Sequence, residues 1–247
     1  MTDVVALITI AGLLASVAVR LRLMAGRAFV PLLWVQVAII ALLSFSLTWV
    51  YPSLDEALGG RNYLNLIAHL IFLGATWVYN VVLSEPIFRG ERTPVFLRSW
   101  VPVVAAIGCI TCFVLLDPST TSKGLDAFTD EPAWIGYWVF NVMTLWMPAL
   151  TLVPRLLDIV KHTKIRPLLT AYWAMIVGYT ASVLATLGYV ITYFYPALFV
   201  GRELMVGVTQ LCLVTAVIAI PMSSQQQKTE RSARQQAQAE AAARFHN

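Results

Sequence analysis

The chain has 247 residues, 59% of them hydrophobic and 12% charged, with a mean hydropathy of +0.74 and a formal net charge of +4. A soluble domain carries about 25% charged residues, so this composition excludes an ordinary water-soluble fold and predicts an integral membrane protein. The pI near 9.1 does not point to nucleic acid, because the basic residues sit in short loops between apolar segments.

Seven apolar segments follow one another at about 4–19, 28–50, 63–84, 100–116, 134–153, 168–194 and 204–222. Each approaches or exceeds the ~20 residues with which a helix crosses a hydrocarbon core, and none alternates as a barrel strand does. The expected fold class is all-α, a seven-transmembrane-helix bundle over residues 1–222 with a polar cytosolic tail at 223–247. Segment one follows "MTD", with no basic n-region before it and no small-residue cleavage site after it, and reads as an uncleaved anchor. Pro31, Pro148 and Pro221 lie inside or at the ends of segments, which membrane helices tolerate.

Segment three, opening "NYLNLIAHLIFLGATWVYN", carries Asn62, Asn65, His69, Thr76, Asn80 and Ser84. At 100° per residue these fall within roughly a 100° arc. Unpaired polar groups in hydrocarbon cost several kcal/mol each, so this stripe must face protein or water. In segment four, "CITC" (Cys109–Cys112) lacks the strand-to-helix setting of a redox motif and reads as small packing residues. The stretch "DPSTTSKGLDAFTDEPA" (117–133) is an acidic, turn-rich solvated cap, with a lid as the other reading.

Segment five has a second stripe: Tyr137, Asn141, Thr144 and Thr151, with Pro148 on the same face. Pro148 has no N–H, which frees the Thr144 carbonyl. The stretch 154–166 that follows, basic in character, is a candidate site for anionic lipid or a cytosolic protein partner, as is the tail. Segment six adds Tyr172, Tyr179, Ser182, Thr186, Tyr189 and Tyr193. Beside them runs a small-residue face, Ala174, Gly178, Ala181, Ala185 and Gly188, suited to close helix packing. Segment seven offers Glu203 and Gln210 on one face and no Lys, which excludes a retinal Schiff base there.

Fourteen of the seventeen Lys and Arg residues fall on one side of this pattern: Arg20, Arg22 and Arg27 after segment one, Arg89, Arg92 and Arg98 after segment three, Arg155, Lys161, Lys164 and Arg166 after segment five, and Lys228, Arg231, Arg234 and Arg244 in the tail. The positive-inside rule makes that side cytosolic, the N-terminus outside and the tail inside. Trp49, Tyr51, Trp134, Trp138, Tyr193 and Tyr195 then form an aromatic belt at the outer ends, with Trp100 at an inner one.

With this topology His69, Asn141 and Gln210 each lie about seven residues from the outer surface, roughly 10 Å deep at 1.5 Å per residue, and Cys109 and Thr186 reach a similar level. Two readings stand: interhelical hydrogen bonds that hold the bundle together, or an outward-facing ligand cavity. The candidate ligand-binding residues are Asn65, His69, Asn141, Thr144, Thr186 and Gln210. No second His or acidic residue lies mid-membrane, since His162 and His246 fall outside it and Glu85 and Glu203 sit near helix ends. Neither a metal site nor a cofactor is expected, and an ion-coupled pump is disfavoured. The absence of H-E-x-x-H, G-x-S-x-G and Walker-type motifs predicts a non-enzyme.

"GGRNYLNLIAHLIF", the basic loop, the acidic cap and "WIGYWVFNVMTLW" together resemble the membrane part of an actinobacterial multispanning family whose members are labelled transporters. The resemblance covers most of residues 1–222 and matches His69 to the family's His in its third helix. Family members carry a longer cytosolic part than the residues that follow segment seven here. Combined with the stripes, it implies an inner-membrane protein that binds or passes a small amphipathic molecule or lipid. The alternative is a seven-helix receptor or interaction module that signals to a cytosolic partner.

Overall fold

The computed structural model describes residues 2–23, 30–85, 87–88, 94–195, 201, 204–212 and 214–219. Among these residues there are helices and no strands. The helices are α1 (Thr2–Leu23), α2 (Val30–Phe45), α3 (Tyr51–Ala57), α4 (Tyr63–Ser84), α5 (Trp100–Leu116), α6 (Pro132–Asn141), α7 (Met143–His162), α8 (Arg166–Phe194) and α9 (Leu204–Ala219), with 3-10 turns at Val95–Leu97 and Lys123–Phe128. The tail expected at 223–247, and with it Glu203 and Pro221, lies outside the described residues.

Three of these helices, α4, α7 and α8, are long and apolar enough to cross a membrane. Shorter apolar helices occupy Ala6–Ala18, Val30–Phe45, Trp100–Leu116 and Leu204–Ala219. Large apolar side chains lie exposed around the bundle, among them Trp34, Ile107, Val114, Leu115, Leu150 and Leu187.

The helix ends follow local chemistry. α2 stops at Phe45, short of the apolar run to residue 50, and at its end the Ser44 and Ser46 hydroxyls donate back to the carbonyls of Ile40 and Leu43. The chain then forms α3, with Pro52 in its first turn. It leaves α3 through Gly59 and Gly60 at φ 105° and 66°, a left-handed conformation that glycine adopts without strain. The apolar segment expected at 134–153 is two helices broken at Val142, and the second continues to His162. Residues 154–162, expected in a loop, are therefore helix. Pro154 does not end it, and no turn signal appears before Thr163.

α4 is central and packs against α2, α5 and α7, while α5 lies against α6, α7 against α8, and α1 against α2. One core joins α1, α2, α4, α7, α8 and α9 through residues such as Leu13, Leu32, Tyr79, Leu152, Tyr179 and Val217. A second, aromatic core joins α4, α5, α6, α8 and the 117–131 cap through Cys109, Leu125, Trp134, Tyr137 and Tyr189. Gly108 belongs to this packing: a Cβ there would stand 2.4 Å from the Phe140 ring. Gly136 likewise sits against Cys112, 2.8 Å from a built Cβ to the sulfur, so the cysteines of "CITC" act as packing residues.

One end of the bundle is closed by α3 and the cap, and is called the capped end below. The opposite end gathers Arg98, Arg155, Lys161, Lys164 and Arg166, with the Arg155 guanidinium 4.4 Å above the Phe88 ring.

Candidate functional site

The polar stripe of α4 divides into three levels with different partners. At the capped end, Asp55 of α3 is fully buried. Its carboxylate accepts the backbone N–H groups of Asn62 and Leu64 at 3.0 and 3.2 Å and the Thr121 hydroxyl at 2.8 Å. A carboxylate supplied from another helix thus caps the N-terminus of α4, where its charge meets the positive end of the helix dipole. Asn62, at φ 57°, accepts the Tyr51 hydroxyl at 3.0 Å and the Ser122 N–H at 2.7 Å, and donates to the Thr120 carbonyl. Burial first, and then the Asp55 charge, raise the Tyr51 phenol above its ordinary pKa. The 117–131 cap is therefore bonded down, with Leu125 fully buried beneath it, and not the solvated loop expected from its composition.

At the basic-end half of α4, Thr76 and Asn80 bond across to neighbouring helices. Thr76 shares a hydrogen bond with Thr144 and donates to the Phe72 carbonyl at 2.8 Å. Asn80 donates through Nδ2 to the Thr144 carbonyl, the one that Pro148 leaves without a helical partner, and accepts the Tyr179 hydroxyl on Oδ1. Asn80 and Thr144 are both buried.

Between these levels lies a cavity of about 570 Å³. Its walls come from α1, α2, α4, α6, α7, α8 and α9 and are mostly apolar, with Lys123 and Asp126 at the capped end. Asn65, His69, Asn141 and Gln210 line it, so four of the six expected ligand-binding residues come together. Thr144 and Thr186 do not. Thr144 is consumed by the Thr76 and Asn80 bonds, and the Thr186 hydroxyl turns back to the Ser182 carbonyl at 2.8 Å. Thr151 likewise donates to the Pro148 carbonyl at 3.2 Å. A helical face fixes angle and level, but a short hydroxyl side chain finds an acceptor on its own helix before it reaches across space.

Around His69 the geometry is close. Its Nδ1 lies 2.6 Å from the Tyr137 hydroxyl, which also receives the Asn65 amide at 3.3 Å. Trp138 stands edge-on to the imidazole at 4.9 Å between ring centroids and stacks on Tyr189 at 4.2 Å. Asn141 Oδ1 and Trp138 Nε1 are buried without a hydrogen-bond partner among the described residues. Trp138 carried no signal for this role beyond its place beside the Tyr137 stripe. Asp55 had even less, one of two adjacent acids, with Glu56, in a short stretch between apolar segments.

The small face of α8 divides as well. Ala174, Gly178 and Ala185 line the cavity, while Ala181 is buried. A Cβ on Gly178 would stand 3.0 Å from Cys212 Cβ, and Thr209 Oγ1 lies 3.5 Å from the Gly178 carbonyl, so this glycine sets the approach of α9. Among the described residues no group of three or more His, Cys, Asp or Glu side chains could hold a metal ion.

The fold and cavity define a helical protein with helices fit to cross a membrane and a polar-edged hollow inside. No protein-family model, curated protein or solved structure matches the chain.

Proposed function

We propose that the protein is a seven-span protein of the plasma or inner membrane, with its N-terminus outside, that binds or transports a small amphipathic molecule through the cavity beside His69. The α6–α7 pair serves as one crossing in this reading, so that α1, α2, α4, α5, α6–α7, α8 and α9 make seven. The basic end is cytosolic and the capped end is outside. The observation that carries the reading is the contrast of walls and edge: a cavity of about 570 Å³, within the ~300–1,000 Å³ of small-molecule sites, is mostly apolar but edged by Asn65, His69 and Asn141. An apolar void needs no such groups, and Asn141 Oδ1, buried and unpartnered among the described residues, lacks the bond that pure helix-to-helix adhesion would give it.

The test uses cysteine in place of His69 or Gln210, in a background lacking Cys109, Cys112 and Cys212. A water-soluble thiol reagent added outside should label both sites in intact cells. A reporter after Asn247 should be cytosolic, and one near Ser122 extracytoplasmic. Unlabelled cysteines at both positions would remove the outward-facing cavity, and reversed reporters would remove the topology.

A further inference from the structure

We propose that this cavity selects an uncharged amphiphile, an ester, amide or alcohol on an apolar body, whose head group accepts a hydrogen bond from His69 Nε2–H. The inference rests on the reading of the cavity as a ligand site and goes on to assign the ligand's charge and polarity.

Bond bookkeeping around Tyr137 leads to it. Tyr137 is fully buried, and two groups lie within reach of its hydroxyl: Asn65 Nδ2 at 3.3 Å and His69 Nδ1 at 2.6 Å. An amide nitrogen only donates, so the phenol oxygen accepts from Asn65. The phenol proton then has one acceptor among the described residues, the lone pair of His69 Nδ1. Were Nδ1 protonated, it would donate to the same oxygen and strand the phenol proton without a partner, at a cost of about 1–3 kcal/mol. A neutral imidazole carries one N–H and one lone pair, so its proton resides on Nε2. His69 lines the cavity, and its Nε2 has no hydrogen-bond partner among the described residues. The cavity therefore meets an N–H donor at this point.

A second observation is independent of the histidine. Asn141 is 2% exposed, lines the same cavity, and keeps a buried Oδ1 without a partner among the described residues. The cavity thus offers a donor and an acceptor, both neutral. The two charged side chains that line the cavity, Lys123 and Asp126, are opposite in sign and lie in the cap, and Lys123 is paired with Asp3 at 3.3 Å. A charged head group beside His69 would sit in largely apolar surroundings with no counter-ion, which is strongly unfavourable. A neutral head with an acceptor meets the His69 donor, one that also carries an O–H or N–H meets Asn141 Oδ1 as well, and the apolar walls take the remainder of the molecule.

The experiment compares three probes of equal chain length on the full-length protein in phosphatidylcholine nanodiscs: 1-monododecanoylglycerol, dodecyltrimethylammonium and dodecyl phosphate. The monoglyceride should bind at least about tenfold more tightly than either ion, and His69→Leu should weaken it by about tenfold, the value of one hydrogen bond to a buried donor. Nitrogen NMR on the unmodified protein should show His69 as the Nε2-protonated tautomer, its signal assigned by loss in His69→Gln. Equal or tighter binding of an ion, no binding of any probe, or an Nδ1-protonated ring would each overturn the proposal. If cysteines at 69 and 210 are nevertheless labelled, only the ligand class falls. If they are not, the cavity reading falls with it.

Discussion

The two ends of the α4 stripe look alike in sequence and do opposite things. Asn65 and His69 line a cavity, while Asn80, three to four turns further on, is engaged on both amide atoms by α7 and α8, and Thr76, at the cavity's edge between them, already bonds across to Thr144. The difference lies in what faces them. Near Asn80 the partner helix carries Pro148, which releases the Thr144 carbonyl, and α8 brings Tyr179, so donor and acceptor are both met by protein. Near His69 the facing chain breaks at Val142, and Trp138, Asn141 and Val142 at that break border the cavity instead of saturating the stripe. A polar group in a membrane helix is thus read from the saturation of its partners, not from its type.

The largest effect should come from breaking the saturated end. Asn80→Leu removes the donor to Thr144 O and the acceptor for Tyr179, leaving two buried polar groups unmet. The expected loss is about 2–4 kcal/mol of stability. Unfolding in detergent with Thr144→Ala as a second variant would check it. An Asn80→Leu protein as stable as the parent would show that these bonds contribute nothing net.

Packing changes come next. Gly108→Ala places a methyl group 2.4 Å from the Phe140 ring, which must move and strain the α5–α6 contact. Gly178→Leu pushes α9 away from α8, where Cys212 already stands 3.0 Å from a built Cβ. Each should cost about 1–3 kcal/mol, the range of overpacked cores. Gly178→Leu should also alter the cavity, because Gly178 lines it. Thermal melts followed by size-exclusion recovery would rank the two, and a neutral result for Gly178→Leu would place α9 away from α8. At the unsaturated end, His69→Leu strands the buried Tyr137 phenol proton and should cost about 1–3 kcal/mol, less than the Asn80 loss, and unlike Asn80→Leu it should also change ligand binding.

Much of the frame was legible in the sequence, because apolar run length and helical period follow directly from the residues. α4 occupies Tyr63–Ser84, the same residues as the third apolar segment. The release of the Thr144 carbonyl was also readable from Pro148 alone, since a missing N–H is a local fact. What could not be read was local competition and distant supply. The end of α2 at Phe45, beside Ser44 and Ser46, falls inside what reads as one apolar run. Asp55 caps α4 from another helix, a pairing that only the closed tertiary structure produces. Thr144 and Thr186 lie on the expected faces yet do not line the cavity, because their hydroxyls are spent on partners nearer at hand.

The smallest effect should come from the latch at the capped end. Asp3 accepts the Thr48 hydroxyl at 2.8 Å and N–H at 3.1 Å, and pairs with Lys123 at 3.3 Å, joining the start of α1 to the loop after α2 and to the cap. Partial burial works to raise the Asp3 pKa, but the Thr48 hydrogen bonds and the Lys123 ammonium outweigh it, so the carboxyl titrates below its ordinary 3.8. A depressed folded-state pKa means that the latch contributes above the unfolded value of 3.8 and is lost as pH falls through the lower folded value. Both side chains remain partly in solvent, at 36% and 29% exposure, so the pair is screened and should contribute no more than about 1 kcal/mol. The stability gap between the parent and Asp3→Ala should be present at neutral pH and shrink in strong acid. Added salt should reduce the Lys123→Ala effect further. The effect on access should exceed the effect on stability, because Lys123 and Thr48 line the cavity while the Asp55–Asn62 network still holds the cap from its other side. Thiol labelling of a cysteine at position 210 should therefore be faster in Lys123→Ala than in the parent. Equal labelling rates would reduce the latch to a surface ion pair with no bearing on the cavity.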